Sequence, residues 1–159
     1  MKDWFSENVP EDIAKRIVRI RAEIGEDQVV DRDFRPDLAI DYETLEESLM
    51  TAPQTFAFWA MVYSEQKAYV AKLDRISKRR RAQIYDLIIE ESQKKSVKVP
   101  EKILRELVEK DDKLLEIESK LILANRTLGK LFNIVDAMKL KVEALRSLAG
   151  FKRQEQSAP

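Results

Sequence analysis

Apolar residues recur at alternating steps of three and four from Leu107 to Ala149, through Leu114, Ile117, Leu121, Ala124, Leu128, Leu131, Val135, Met138, Val142 and Leu145. Lys110 is the single polar member of this stripe. Such spacing keeps one seam of a helix against one partner for about six heptads, the periodicity of a coiled coil. At 1.5 Å per residue the helix would run on the order of 65 Å, so something equally long must lie beside it. That partner is the segment from Pro53 to about Lys94. Its seam, at the same spacing, is Phe56, Trp59, Tyr63, Gln66, Val70, Leu73, Ser77, Arg80, Ile84 and Leu87. Lys95 to Val99 reads as the turn, because Pro100 suits a first helical position and the residue before a proline prefers an extended backbone. The two long helices therefore fold back antiparallel. With the turn centred near Val97, Phe56, Trp59 and Tyr63 face Met138, Val135 and Leu131, an aromatic base with Phe132 close by.

Upstream, Pro10 opens and Gly25 closes a first helix with Ile13, Ile17, Ile20 and Ile24 on one stripe. Trp4 and Phe5 read as a staple onto it. Residues 26–40 read as irregular. Asp41 caps a second short helix carrying Leu45, Leu49 and Met50, and Thr51 with Pro53 signals a fresh helix start. Gly150 reads as the C-terminal cap of the last helix, with a loose polar tail beyond it. The expected fold is all-α: a long, coiled-coil-like antiparallel helical hairpin with a small N-terminal helical bundle. The organisation is an N-terminal helix and acidic segment over 1–38, the hairpin domain over 39–150 and a flexible tail over 151–159. Leu123, Ile134 and Leu140 lie off the main stripe. Too few residues remain to cover that surplus, which favours a homo-oligomer. Gly129, inside a helix at a cost of about 1 kcal/mol relative to Ala, suggests a close helix–helix approach.

Composition narrows the chemistry. The 159 residues include no Cys, no His and only 3 Gly. Thiolate chemistry, histidine metal sites, Ser-His and Cys-His pairs and glycine-rich phosphate loops are thereby excluded. No catalytic residue, metal site or cofactor is expected, and the protein reads as a non-enzyme. No stretch approaches a membrane span, and the start lacks a secretory pattern, so a cytoplasmic location is expected.

Net charge is zero but unevenly placed. Acids outnumber bases two to one over residues 1–47, whereas Lys72 to Lys98 carries nine bases against four acids. The core of this belt, Asp74 to Gln83, reads D-R-I-S-K-R-R-R-A-Q. Lys72, Arg75 and Arg79 line one helical face, while Lys78, Arg81 and Tyr85 line another. A guanidinium is expensive to bury in a dry seam, so the stretch is expected to face solvent. Two readings remain open on charge alone. In one, the belt contacts phosphates of a nucleic acid without reading bases, with Tyr85 as the stacking candidate. In the other, it is paired within the hairpin to Glu109, Asp111, Asp112 and Glu116, each exposed pair contributing about 0–1 kcal/mol.

The string Ala39-Ile40-Asp41-Tyr42-Glu43-Thr44-Leu45, then Trp59 in an aromatic-rich helix, a basic segment ending in Tyr85, and a long Leu-rich final helix resembles the phage recombination mediator proteins of the UvsY type. The resemblance covers roughly residues 39–149. It implies a ring-like homo-oligomer that binds single-stranded DNA and helps load a RecA-like recombinase onto DNA coated by a single-strand-binding protein. By position, it places the DNA-contacting segment on Lys78, Arg79, Arg80 and Arg81, with Tyr85 following. Apart from the resemblance, the charge asymmetry suggests that the acidic N-terminal region meets the protein partner. The competing class is a structural coiled-coil adaptor, scaffold or chaperone that binds no nucleic acid.

Overall fold

The computed structural model describes residues 19–24, 28–41 and 43–157. Among them the chain is predominantly α-helical, with a small antiparallel β-hairpin: β1 (Arg19–Ile24), β2 (Gln28–Asp33), α1 (Arg35–Leu38), α2 (Leu45–Lys94), α3 (Glu101–Glu109) and α4 (Asp112–Ser157). Two compact units are present. The first contains the described residues up to Gln66 together with those from Thr127 onward, and the second is Lys67–Arg126.

In the first unit the expected N-terminal helix is corrected. Arg19–Ile24 is a strand, paired with Gln28–Asp33 from Arg19 opposite Asp33 to Ile24 opposite Gln28. The rest of that expected helix, Pro10 to Val18, and the Trp4–Phe5 staple lie outside the described residues. The physical reason is alternation. In R-I-R-A-E-I, Ile20 and Ala22 fall on one face of a period-two strand. Both are fully buried with Trp59, Val62, Leu131, Ile134 and Met138. Segment 26–40, expected to be irregular, supplies β2 and the one-turn helix α1; Phe34, which precedes that helix, and Leu38, its last residue, pack on the same cluster. The aromatic base is thus real: Phe56, Trp59 and Tyr63 meet Leu131, Val135 and Met138. The hairpin and α1 cover it, where Arg19–Ile24 was expected to be helical.

Polar bonds pin that cover down. Asp37 accepts the indole N–H of Trp59 at 2.9 Å on one oxygen and the Arg32 guanidinium at 2.6 Å on the other. The Asp37 carbonyl accepts from Lys141 Nζ at 2.8 Å. Burial pushes the Lys141 ammonium below its ordinary pKa, an effect that the nearby Asp37 charge opposes. Gln66, buried mid-helix, accepts the backbone N–H of Glu23 through Oε1.

A second correction concerns the join at Thr51–Pro53. Instead of two helices there is one, with Pro53 inside it. Asp41 makes the entry turn, accepting the N–H of Glu43 and the hydroxyl of Thr44. Leu45 and Ala52, before the proline, pack against Leu145, and Trp59, after it, is buried in the first cluster; burial on both sides offsets the hydrogen bond Pro53 cannot make. The buried positions Leu45, Ala52, Trp59, Gln66 and Leu73 recur every seventh residue on α2. Ala124, Leu131, Met138 and Leu145 do the same on α4.

The last helix differs from expectation at both ends. It is broken at Lys110–Asp111, separating α3 from α4, and it runs through Gly150 to Ser157. Neither Gly150 nor Gly129 touches anything where a Cβ would stand, so no close approach within the chain explains Gly129. Off the main stripe, Ile134 is buried in the core, whereas Leu123 and Leu140 are exposed. The turn after α2 falls where expected. The Val97 N–H reaches back to the Ser92 carbonyl, and Ser96 takes a left-handed φ of 50°, the position glycine usually fills.

Candidate nucleic-acid interface

The basic belt lies in the second unit, on the stretch of α2 from Lys72 to Tyr85. Helical periodicity decides which of its charges can meet a ligand. Leu73, Ser77 and Ile84 are buried. Arg75 and Arg79 project from the opposite side, both exposed. Neither has an ion-pair or hydrogen-bond partner among the described residues. Lys72 shares their face and is exposed.

The other cations of the belt are already engaged. Lys78 Nζ sits 2.7 Å from Asp74, one helical turn back. Arg80, the seam position, is half-buried and grips Asp111 with two parallel bonds, Nε to Oδ1 at 3.0 Å and Nη2 to Oδ2 at 2.6 Å. Arg81 bonds Glu118 through Nε and Nη2. Three of the four consecutive bases, Lys78, Arg80 and Arg81, are therefore paired internally, but only Arg80 with a carboxylate of the expected set, and Arg79 is left out. Of the expected carboxylate partners only Asp111 is used. Glu116 instead takes Lys120 on its own helix, and Glu118, one heptad beyond Asp111, replaces it.

Asp111 does two jobs. While holding Arg80, its Oδ1 also accepts the Leu114 N–H at 2.8 Å, which caps the first turn of α4. The Arg80 guanidinium, with help from this N–H, holds the Asp111 carboxyl below the usual carboxylate range. The signal for it was present in the sequence, since an Asp following the one polar member of an apolar stripe is a cap in waiting.

Below the two arginine pairs, Ile84, Leu104, Val108 and Leu114 form the core of this unit. A cleft of about 670 Å³ opens beside it, lined by Arg81, Tyr85, Asp86, Leu104, Arg105 and Val108 among others. Tyr85 is exposed there. The cleft carries carboxylates from Asp86 and Glu109 as well as guanidiniums, and Arg81 and Arg105 are already bound to Glu118 and Glu101. It offers a phosphate little net attraction. The outer face of α2 offers more.

Among the described residues no acidic cluster is arranged to hold a metal ion, and no helix is long and apolar enough to cross a membrane. No protein-family model, curated protein or solved structure matches this chain.

Proposed function

We propose that this protein binds single-stranded DNA through its phosphates, as a self-associating mediator that helps a RecA-like recombinase displace a single-strand-binding protein. One observation carries the reading: Arg75 and Arg79, one turn apart on the exposed side of α2, are cations with no partner among the described residues. Unpaired guanidiniums on a helix face are suited to phosphate and read no base, so binding is tolerant of sequence. Lys72 extends the strip, while Lys78, Arg80, Arg81 and Tyr85 flank it. The seven-residue burial on α2 and α4 supports a coiled-coil-like pairing. Exposed Leu123, Phe132 and Leu140 favour association with further copies, and a ring would set many weak phosphate contacts side by side. The acidic stretch near the start is the region offered to the recombinase.

The test is fluorescence polarisation of labelled oligo-dT at increasing salt. A mediator binds with an affinity that falls steeply with salt, and Arg75→Glu with Arg79→Glu removes most of that binding. No binding at moderate salt overturns the reading. The recombinase contact is best tested by neutralising Glu7, Glu11 and Asp12. Deleting residues 1–38 would also strip Ile20, Ala22, Phe34 and Leu38 from the Trp59 cluster.

A second reading, a structural adaptor without nucleic acid, is favoured by the internal pairing of Lys78, Arg80 and Arg81. It predicts no salt-dependent capture of oligo-dT.

A further inference from the structure

The apolar stripe of α4, followed backwards through Leu121, Ile117 and Leu114, continues through Lys110 to Leu107 and Ile103. A single uninterrupted helix would bury Leu107 and Ile103. The structure buries their neighbours instead: Leu104 is 5% exposed and Val108 7%, while Ile103 is 47% exposed and Leu107 44%. The break at Lys110–Asp111 thus rotates α3 by one residue, about 100°, relative to the seam of α4.

Little holds that rotation in the backbone. Lys110 sits at φ −89° and ψ −1°, about 40° in ψ from the helical well. The Lys110 and Asp111 N–H groups reach back three residues, to Leu107 and Val108, at 3.3 Å each. The two apolar pairs that could face Ile84, Leu104 with Val108 or Ile103 with Leu107, are similar in size. What distinguishes the two arrangements is charge. In the observed register Asp111 faces Arg80 and caps α4. The same one-residue rotation that brings Leu107 inward would carry Asp111 away and set Lys110 opposite Arg80.

We infer that α3 is a two-register element, latched by the Arg80–Asp111 pair and switched by phosphate. In the latched register Arg80 is neutralised from within. In the other, Arg80 and Lys110 stand together as two cations that repel unless an anion lies between them. A polyphosphate chain binds the second arrangement better than the first, and a ligand shifts an equilibrium by its differential affinity for the two states. A strand that passes from Arg75 and Arg79 round α2 to its seam would thereby gain Arg80 and Lys110 and fuse α3 with α4. The ligand half of this inference rests on the nucleic-acid reading above; the register half does not.

The chain has no cysteine, so Leu107→Cys and Val108→Cys, made separately, each present one thiol whose alkylation rate reports the register. In the free protein the thiol at position 107 reacts faster. Saturating oligo-dT is expected to invert the order, taking the ratio of the two rates through one. A strand that binds and leaves the order unchanged overturns the switch. Asp111→Leu, and independently Arg80→Gln, should move the ratio towards or past one with no ligand added. Circular dichroism shows which variant keeps its helix. If folded variants keep the wild-type ratio, the latch is refuted whatever DNA does. If oligo-dT binds nowhere, the mediator reading fails, and the two charge variants alone still decide the register.

Discussion

Trp59 is the residue on which the first unit turns, and replacing it with Phe is the sharpest test of how that unit is held. The indole is fully buried and gives its N–H to Asp37, whose other oxygen holds Arg32. Trp59→Phe keeps an aromatic ring among Ile20, Val62, Leu131 and Met138 but removes a hydrogen bond to a charged acceptor, a loss of about 1.5–3 kcal/mol. The smaller ring adds about 1 kcal/mol for the space it leaves. The expected total is about 2.5–4 kcal/mol. Asp37→Asn keeps the shape but takes away the charge that strengthens both bonds. Because the two changes remove one shared interaction, the double variant should cost less than the sum, with a coupling of about 1–2 kcal/mol. Urea denaturation followed by far-ultraviolet circular dichroism, at one fixed protein concentration and with unchanged m-values, measures all four corners. A coupling under about 0.3 kcal/mol, the scatter expected of independent sites, would refute the claim that this bond, rather than apolar burial alone, seats α1 on the core.

Four further outcomes follow from the same geometry. Replacing Arg75 and Arg79 by Gln should reduce the magnitude of the log-affinity against log-salt slope for oligo-dT by about 1.4, at about 0.7 for each phosphate left unneutralised. Lys78→Gln should change it far less, because that charge is held by Asp74. Gly129→Ala should raise stability by about 1 kcal/mol in thermal denaturation, since nothing stands where its Cβ would go; a loss of self-association instead would place Gly129 at a subunit interface. Ser96→Gly should stabilise by up to about 1 kcal/mol, because the residue sits at positive φ. Finally, the Asp111 carboxyl is held below its unfolded value. The stability it contributes is therefore present above the unfolded carboxylate pKa of about 3.9 and lost as pH falls through the lower folded value. Asp111→Asn should remove that part of the acid transition, as read from denaturation midpoints across the acid range.

Much of the helical layout is written in the order of apolar residues. The seven-residue recurrence of Leu45, Ala52, Trp59 and Leu73 on one helix, and of Leu131, Met138 and Leu145 on the other, is a local property of the chain, and burial follows it. So is the turn before Pro100, where proline excludes the helical conformation from Val99. The exposure of Arg75 and Arg79 follows in the same way, from their angle to Leu73 and Ile84. Other features have no local answer. Ile17, Ile20 and Ile24 suit a helix as well as Ile20 and Ala22 suit a strand, and the Trp59 surface beneath them settles the matter by burying Ile20 and Ala22 together. Pro53 reads as a helix start, yet one helix runs through it, with Leu45 and Ala52 both packed on Leu145. Lys110 marks a weak point in the stripe. That the helix breaks there, and that Asp111 instead of Glu109 or Asp112 receives Arg80, depends on the partner α2 presents. A period along the chain specifies which face of an element is apolar; which of two admissible periods is used depends on the surface it meets, and that surface exists only once the distant segments have packed.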